Sequence, residues 1–594
     1  MEAMTKKPAA PIERAARASP GPGKLVKHFR QIVLWPLQLI ELREGAQIQN
    51  HWQFLAQPGP DNPWRELEDE FGDPDEFQER HYSEFVAFLP QVQRFLYGQG
   101  LGSRVRTSYG DSPMKVFRRR DVAQVRMTFA ADRAPVRFDV AHVDLCFFYD
   151  SPALMLALEI YADDLPLEIA QDITFRFGRA YPASWDEHGQ AHNCLWRAEW
   201  LSADGTVLAG SDYERREKYL AFVCRHRAPT IASHWAFLFR PLVLHHTDEK
   251  GPIRFRQIEY YRMPILAYFA MDDMSALTRA DFVRLALATG PGDPDTLPYA
   301  SGYLEDFEAR YCYDRYREES LGRSPTRFMC CGHAFVIVGS HRDPFFTDKE
   351  RGLLGQFRHQ YFLLGLIAHF HKAALLMLSD QLVVAVSRLD ITRPESIRAF
   401  RRDVRQTFEI FLRFTHRYWF HKVSDQVQMR DLFAMWRRHL DTDDLYNEVR
   451  NELQDMTHYL DSDVFRRHSN TMLRLTVVTI LGLIGTITTG FLGMNVIDEG
   501  GAPPGMKLLY FMLVFIPTLA ITVYTVMKSR RLSELLDSLS DERTSTRARF
   551  DALAAVWRNG GPKRGAADTA DAASAHTGSP EVGSPRGSAT ATRD

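Results

Sequence analysis

Residues 475–497 read Leu-Thr-Val-Val-Thr-Ile-Leu-Gly-Leu-Ile-Gly-Thr-Ile-Thr-Thr-Gly-Phe-Leu-Gly-Met-Asn-Val-Ile, and no charged side chain interrupts them. As a helix this run is long enough to cross a hydrocarbon core of about 30 Å. A second uncharged run, Leu508 to Met527, follows after a short loop. Basic residues bracket the pair. Arg466, Arg467 and Arg474 precede the first run and Lys528, Arg530 and Arg531 follow the second, whereas the loop carries Asp498 and Glu499 against Lys507 alone. The positive-inside rule then places both termini in the cytoplasm and the loop outside, as expected for a multi-pass protein of the cell inner (plasma) membrane.

Working backward, no helix-breaking residue occurs between Leu445 and Leu481. The pattern predicts one helix from about 445 to 494, a cytoplasmic stalk (441–471) continuing into the first span (472–497), roughly 75 Å long at 1.5 Å per residue. Leu445, Val449, Leu453, Met456, Leu460 and Val464 recur at steps of three and four and define an apolar stripe. A stalk of this length needs neighbours to cover that stripe, so a homo-oligomeric bundle is expected. Between Asp441 and Asp463 the stalk carries eight acids and one arginine, and Glu448, Glu452 and Asp455 share a face. Those three could bind a regulatory Mg²⁺ between subunits or draw cations inward; a solvated helix face is the ordinary alternative. Arg466, Arg467 and His468, at the membrane surface, suit lipid phosphates.

Two membrane helices cannot enclose water, so conduction would require a ring of subunits, each giving one helix to the axis. The first span is the better lining: counting back from Asn495 in helical steps gives Gly490, Thr486, Leu483, Thr479, Leu475 and Met472 near one stripe. Hydroxyls and glycine backbone would meet a hydrated ion, and Leu483, Leu475 and Met472 would form rings able to narrow and dewet. The competing reading is that glycine and threonine only permit close helix packing. The second span, with large apolar residues and Pro517, suits a lipid-facing helix. Asp498 and Glu499 would ring the mouth with negative charge and concentrate cations.

Gly493-Met494-Asn495 closes the first run. At the outer end of the penultimate span, with a basic end after the last, this tripeptide resembles the signature of the CorA family of divalent-cation channels. The likeness covers roughly residues 440–531, under a fifth of the chain. It implies a homopentamer by analogy and a ring of Asn495 carboxamides that selects hydrated cations. Gly493 would allow the tight turn and Met494 would pack between subunits. Mg²⁺ sheds water reluctantly, which a neutral carboxamide ring accommodates. The transported and possibly regulatory ion is expected to be Mg²⁺, with Co²⁺ and Ni²⁺ as surrogates. The loop also has the Gly-Gly and Pro of zinc-type relatives, so Zn²⁺ is the alternative. A membrane-anchored cytoplasmic sensor or scaffold without transport is the reading from another class.

The rest of the chain is less specific. Of 594 residues, 73 are Lys or Arg and 75 Asp or Glu, so no single-sign field points to nucleic acid. Six scattered cysteines with no CxxC suit reduced thiols. Residues 1–25 and 559–594 have the composition of disordered ends, and 528–558 form a basic cytoplasmic end. Residues 26–345 predict an α+β cytoplasmic domain, with a buried first strand over Ile32–Ile40 despite Pro36. A strand pair is expected over Arg137–Tyr161, further strands at Ala191–Leu201, Trp235–Phe239 and Phe335–Val338, and helices at Asp75–Leu89 and Arg279–Ala288. Residues 346–440 predict helices, the first opened by a capping box at Thr347 and Glu350 and the second running from Pro394 to about Val423. Cys330, Cys331 and His333 match no zinc spacing, and His359, His369 and His371 read as core histidines. Pairs such as His245-His246 and Cys224-x-His226 are weak. No P-loop, Gly-x-Ser-x-Gly or Rossmann fingerprint appears, so nothing supports an enzyme, and no prosthetic group is expected.

Overall fold

The computed structural model describes residues 24–40, 52–56, 62–67, 79–98, 113–149, 151–251, 253–259, 261–293, 296–317, 325–390, 393–493, 501 and 503–527. The chain divides into two compact units, 1–457 and 458–594. Residues 1–23, 559–594, the 528–558 segment and positions 498–500 and 502 of the loop lie outside the described residues.

In the first unit fourteen described strands join one sheet. Its central strand is Leu25–Ile40, nearly all of it buried. A strand covered on both faces reads as a continuous apolar run instead of an alternating one, which is why Ile32–Ile40 looked like a core segment. It pairs antiparallel with Ala153–Pro166 along most of its length. On its other side it pairs with Ile265–Met271 over Val26–Val33 and with Arg254–Gln257 from Leu37 onward. Pro36, which has no N–H to give, falls in the gap between those two partners, the one place where an interior strand tolerates it.

Each face of the sheet has its own core. Phe29, Val33, Trp35 and Leu37 look toward one, where Trp35 meets Trp235 at 5.9 Å and Phe239 at 5.4 Å between ring centres. Ile32 and Leu34 look toward the other, which is covered by the helices Leu353–Ser387, Pro394–Arg417 and Val427–His439 and the start of the helix Thr442–Gly493. Each fully buried Leu, Ile or Phe contributes about 1.5–3 kcal/mol.

The expected strand pair over 137–161 is present as Val136–Phe148 and Ala153–Pro166, antiparallel. Helices at Arg279–Ala286 and Pro394–Arg417 and a strand at Ala334–Ser340 also agree. Four expectations are corrected. Trp235–Phe239 is helical, within Ser233–Phe239; its buried residues Trp235, Leu238 and Phe239 step by three and four, a helical period hidden by aromatic clustering. Only Arg197–Leu201 of the 191–201 stretch is a strand. Pro90 does not merely stop a helix: Glu79–Ala87 ends before it and Pro90 opens the next, Pro90–Tyr97, at the position where its missing N–H costs nothing. Thr347 and Glu350 form no capping box, because Thr347 closes a short helix capped by Asp343 and the long helix starts at Leu353. A helix at Val427–His439 was not anticipated.

The face under the long helix holds a buried ionic chain that crosses four strands. Arg118 grips Asp144 through two 2.8 Å hydrogen bonds. His142 lies 3.1 Å from Asp144 and 3.2 Å from Glu159, and Glu159 accepts from Arg30 at 2.5 Å. A bulge between Val140 and His142 re-aims the imidazole. A π-helical turn at Phe357–Tyr361 brings Arg358 to 3.3 Å from Glu159. Burial opposes the charge on His142, but Asp144 and Glu159 outweigh it and hold its pKa at about 9. Burial would likewise raise both carboxyls; His142 and Arg118 instead bring Asp144 down to about 2, and His142, Arg30 and Arg358 keep Glu159 well below its usual range.

His142 therefore stabilises the fold fully below its ordinary value of 6.5, and that contribution fades as pH climbs through about 9. The two carboxylates stabilise it above their ordinary range, and their contribution fades as pH falls toward about 2. Thermal unfolding followed by near-ultraviolet dichroism is expected to show the melting temperature falling between pH 6.5 and 9. His142→Gln, which leaves two carboxylates facing each other, is expected to cost about 3 kcal/mol at pH 6.5 and to flatten that slope; an unchanged slope would remove His142 from this role.

Candidate ion-conducting face of the hairpin

Among the described residues, two segments are long and apolar enough to cross a membrane: Leu353–Ser387 and Pro504–Ile521. The first was not anticipated as such. It is 78% buried, so its apolarity serves the sheet. The second has no buried part and lies within the helix Pro504–Met527, with Pro517 in its interior. The first run of the sequence reading, up to Gly493, occupies the end of the helix Thr442–Gly493, which opens with Asp443 and Asp444 in its first turn as expected. Met494, Asn495, Asp498 and Glu499 lie outside the described residues.

Within the second unit the two apolar helices touch. A Cβ added to Gly485 would stand 2.9 Å from the methyl of Thr518, so glycine there lets the backbones approach. Val477 is buried and Gly485 and Thr489 are half-buried. These three mark the face turned to the second helix. At 100° per residue, Met472, Leu475, Thr479, Leu483, Thr486 and Gly490 fall on the opposite face. All six are exposed, Met472 at 73%, Leu475 at 69% and Leu483 at 60%. Thr476, Val478, Ile480 and Gly482 are exposed as well, so the stripe is set apart from the packing face by its direction and not by its accessibility.

Four described hydroxyls of this run have spent their protons. Thr476, Thr479, Thr486 and Thr489 donate to the carbonyls four residues back, Met472, Leu475, Gly482 and Gly485, at 2.8–2.9 Å. What each oxygen still offers is a lone pair. The first hydration shell of a cation presents water O–H groups outward, so acceptors without free donors complement a hydrated cation better than a hydrated anion.

The other expected site residues are not gathered by the single chain. Glu448 and Asp455 are exposed and Glu452 is half-buried. Burial, with Glu448 nearby, raises the pKa of Glu452, and its Oε2 is enclosed without a hydrogen-bond partner. Among the described residues no three His, Cys, Asp or Glu side chains gather to hold a metal ion. Cys330, His369 and His371 are buried core residues, and Cys331 donates to the Ala286 carbonyl at 3.1 Å. His226 stacks on His246 at 5.3 Å, a meeting across twenty residues that spacing did not show.

The stalk stripe is a correction. Val449 and Leu453 are buried in the first unit's own core, with Leu445 and Met456 packed against it. That part of the stripe needs no second subunit. The ionic chain of Arg118, Asp144, His142, Glu159 and Arg30 also escaped the sequence reading. Its signal was charge at alternate positions, His142 and Asp144, in an otherwise apolar strand.

No family model matches the chain, and no curated protein matches it either.

The glycine contact separates two otherwise similar substitutions. Gly485→Val is expected to lower stability in detergent by about 1–3 kcal/mol through overpacking against Thr518. Gly482→Ala, whose Cβ meets nothing within 4 Å, is expected to be neutral or slightly stabilising. Equal melting temperatures for the two variants would refute the packing face.

Proposed function

We propose that the chain is one subunit of a homo-oligomeric divalent-cation channel, a pentamer by analogy with the CorA family, in which the Met472–Gly490 stripe lines the axis. The observation that carries this reading is the separation of faces. One side of the helix closes on the second span, and the other is left exposed with threonine oxygens that only accept. The sequence adds Gly493-Met494-Asn495 at the outer end and no charged side chain from Leu475 to Ile497.

In this mechanism the ion keeps its water. Asp498 and Glu499 raise the local cation concentration, Asn495 carboxamides bond the hydration shell, and Thr486 and Thr479 receive its outward O–H groups. Leu483, Leu475 and Met472 supply apolar constrictions that close by dewetting. Mg²⁺ is the first choice of cargo, with Co²⁺ and Ni²⁺ as surrogates and Zn²⁺ as the alternative. The rival, a tethered cytoplasmic sensor or scaffold, is favoured by one observation: the first part of the stalk stripe, Leu445 to Met456, is covered by the chain's own core.

Proteoliposomes holding a Mg²⁺-sensitive dye decide between them. Uptake down a Mg²⁺ gradient is expected, and Asn495→Ala should abolish discrimination against monovalent ions. Thr486→Val keeps the side chain's shape and removes its acceptor, so uptake should fall several-fold with unchanged protein yield. Absence of flux for Mg²⁺, Co²⁺, Ni²⁺ and Zn²⁺ alike would leave the tether. Side-by-side Mg²⁺ and Zn²⁺ rates name the cargo.

A further inference from the structure

Two helices of the first unit carry charge stripes of opposite sign and identical spacing. On Pro394–Arg417, Arg398, Arg402 and Arg405 are exposed and step by four and three. On Thr442–Gly493, Glu448, Glu452 and Asp455 also step by four and three. Each stripe covers about 10 Å of helix at 1.5 Å per residue. The inner faces of both helices belong to the chain's own core: Phe400, Val404, Phe411 and Phe414 on one, Val449 and Leu453 on the other. The charges therefore point outward because the apolar faces are already used.

Neither stripe is neutralised within the chain. Among the described residues Arg398, Arg405, Glu448 and Asp455 form no ion pair, and the Arg402 side chain, 78% exposed, comes only to 3.6 Å from its neighbour Asp403. Glu395 and Glu409 flank the arginines on the same face without pairing with them. Glu452, in the middle of the acidic stripe, is half-buried and forms no ion pair among the described residues. A half-buried carboxylate left in that state is costly unless a donor reaches it. A planar guanidinium, with five N–H donors, suits that need and keeps its charge at any physiological pH.

We propose that the arginine stripe Arg398, Arg402, Arg405 of one copy docks on the acidic stripe Glu448, Glu452, Asp455 of a neighbouring copy, with Arg402 opposite Glu452. The occupant of each stripe is a second copy of this chain. The two stripes are distinct patches of one surface, so the contact is head-to-tail and repeats around a ring if the rotation closes. This deepens the oligomeric part of the proposed function and rests on it only for the existence of an assembly. It also gives the stalk acids a partner other than a metal ion. Its strength should fall with salt, as for exposed charges across an interface.

A charge swap tests it on full-length protein in detergent, with oligomer mass read by mass photometry across a dilution series. Arg402→Glu alone and Glu452→Arg alone are each expected to raise the half-dissociation concentration about tenfold or more. Both changes in one chain should restore it to within about threefold, because the pair is re-formed with exchanged signs. Circular dichroism confirms that each variant is folded, and rescue by the double variant excludes misfolding as the cause of the losses. Wild-type assembly by both single variants would overturn the proposal, as would a double variant no better than the singles. Assembly lost in a chelator and regained with Mg²⁺, with no rescue by the swap, would assign the acids to a cation and overturn it as well. Loss of binding to anionic-lipid vesicles by Arg402→Glu with assembly intact would give the arginines to a membrane surface and have the same consequence. Flux is measured separately. A protein that assembles through the swapped pair but conducts nothing refutes conduction and leaves the docking standing.

Discussion

The first unit depends on a strand that must be hidden on both sides. Leu25–Ile40 has apolar side chains on each face, and the hydrophobic effect scales with the apolar area removed from water. Two separate layers of helices are therefore required, and the remainder of the unit supplies them. The partners on its edges are constrained as strongly. Pro36 forces a change of neighbour at the one position where an N–H is missing. The helix Leu353–Ser387 shows the same constraint from above: it is as apolar as a membrane span because it lies between sheet and helices.

Charge is admitted into this core only as a complete set. Arg30, Arg118 and Arg358 surround Asp144, Glu159 and His142, and each departure from regular structure nearby, the bulge at His142 and the π turn at Arg358, serves to complete the pairing. A buried ion pair of this kind adds little net stability against an apolar replacement, yet removing one partner is expensive. Its consequence is a register that cannot slip, since a one-residue shift would turn every charged side chain to the opposite face.

The apolar helix pair and the charged segment that precedes it obey different rules from one another. In the hairpin, glycine at position 485 brings two helices together and threonines satisfy their own protons, leaving an acceptor surface. In the stalk, apolar residues are buried against the chain itself, which removes the argument that an uncovered stripe demands neighbours. What its surface carries instead is charge: two stripes of opposite sign with the same spacing, in which Arg402 reaches only its neighbour Asp403, at 3.6 Å.

The sequence alone determined the elements whose signals are local. The two uncharged runs, the hairpin strands near Val143 and Leu156, the buried first strand and the acidic start of the stalk helix at Asp443 were all legible, because hydrophobic period and helix-end charge act over a few residues. The stripe from Met472 to Gly490 was legible as a pattern, but its partition from the packing face at Gly485 was not, since that depends on where Thr518 arrives from another helix. Tertiary structure alone decided that Val449 and Leu453 are already covered and that His142 stays charged. Val449 and Leu453 are covered by residues distant in the chain, and His142 keeps its charge because Glu159, on the neighbouring strand, reaches it along with the nearby Asp144.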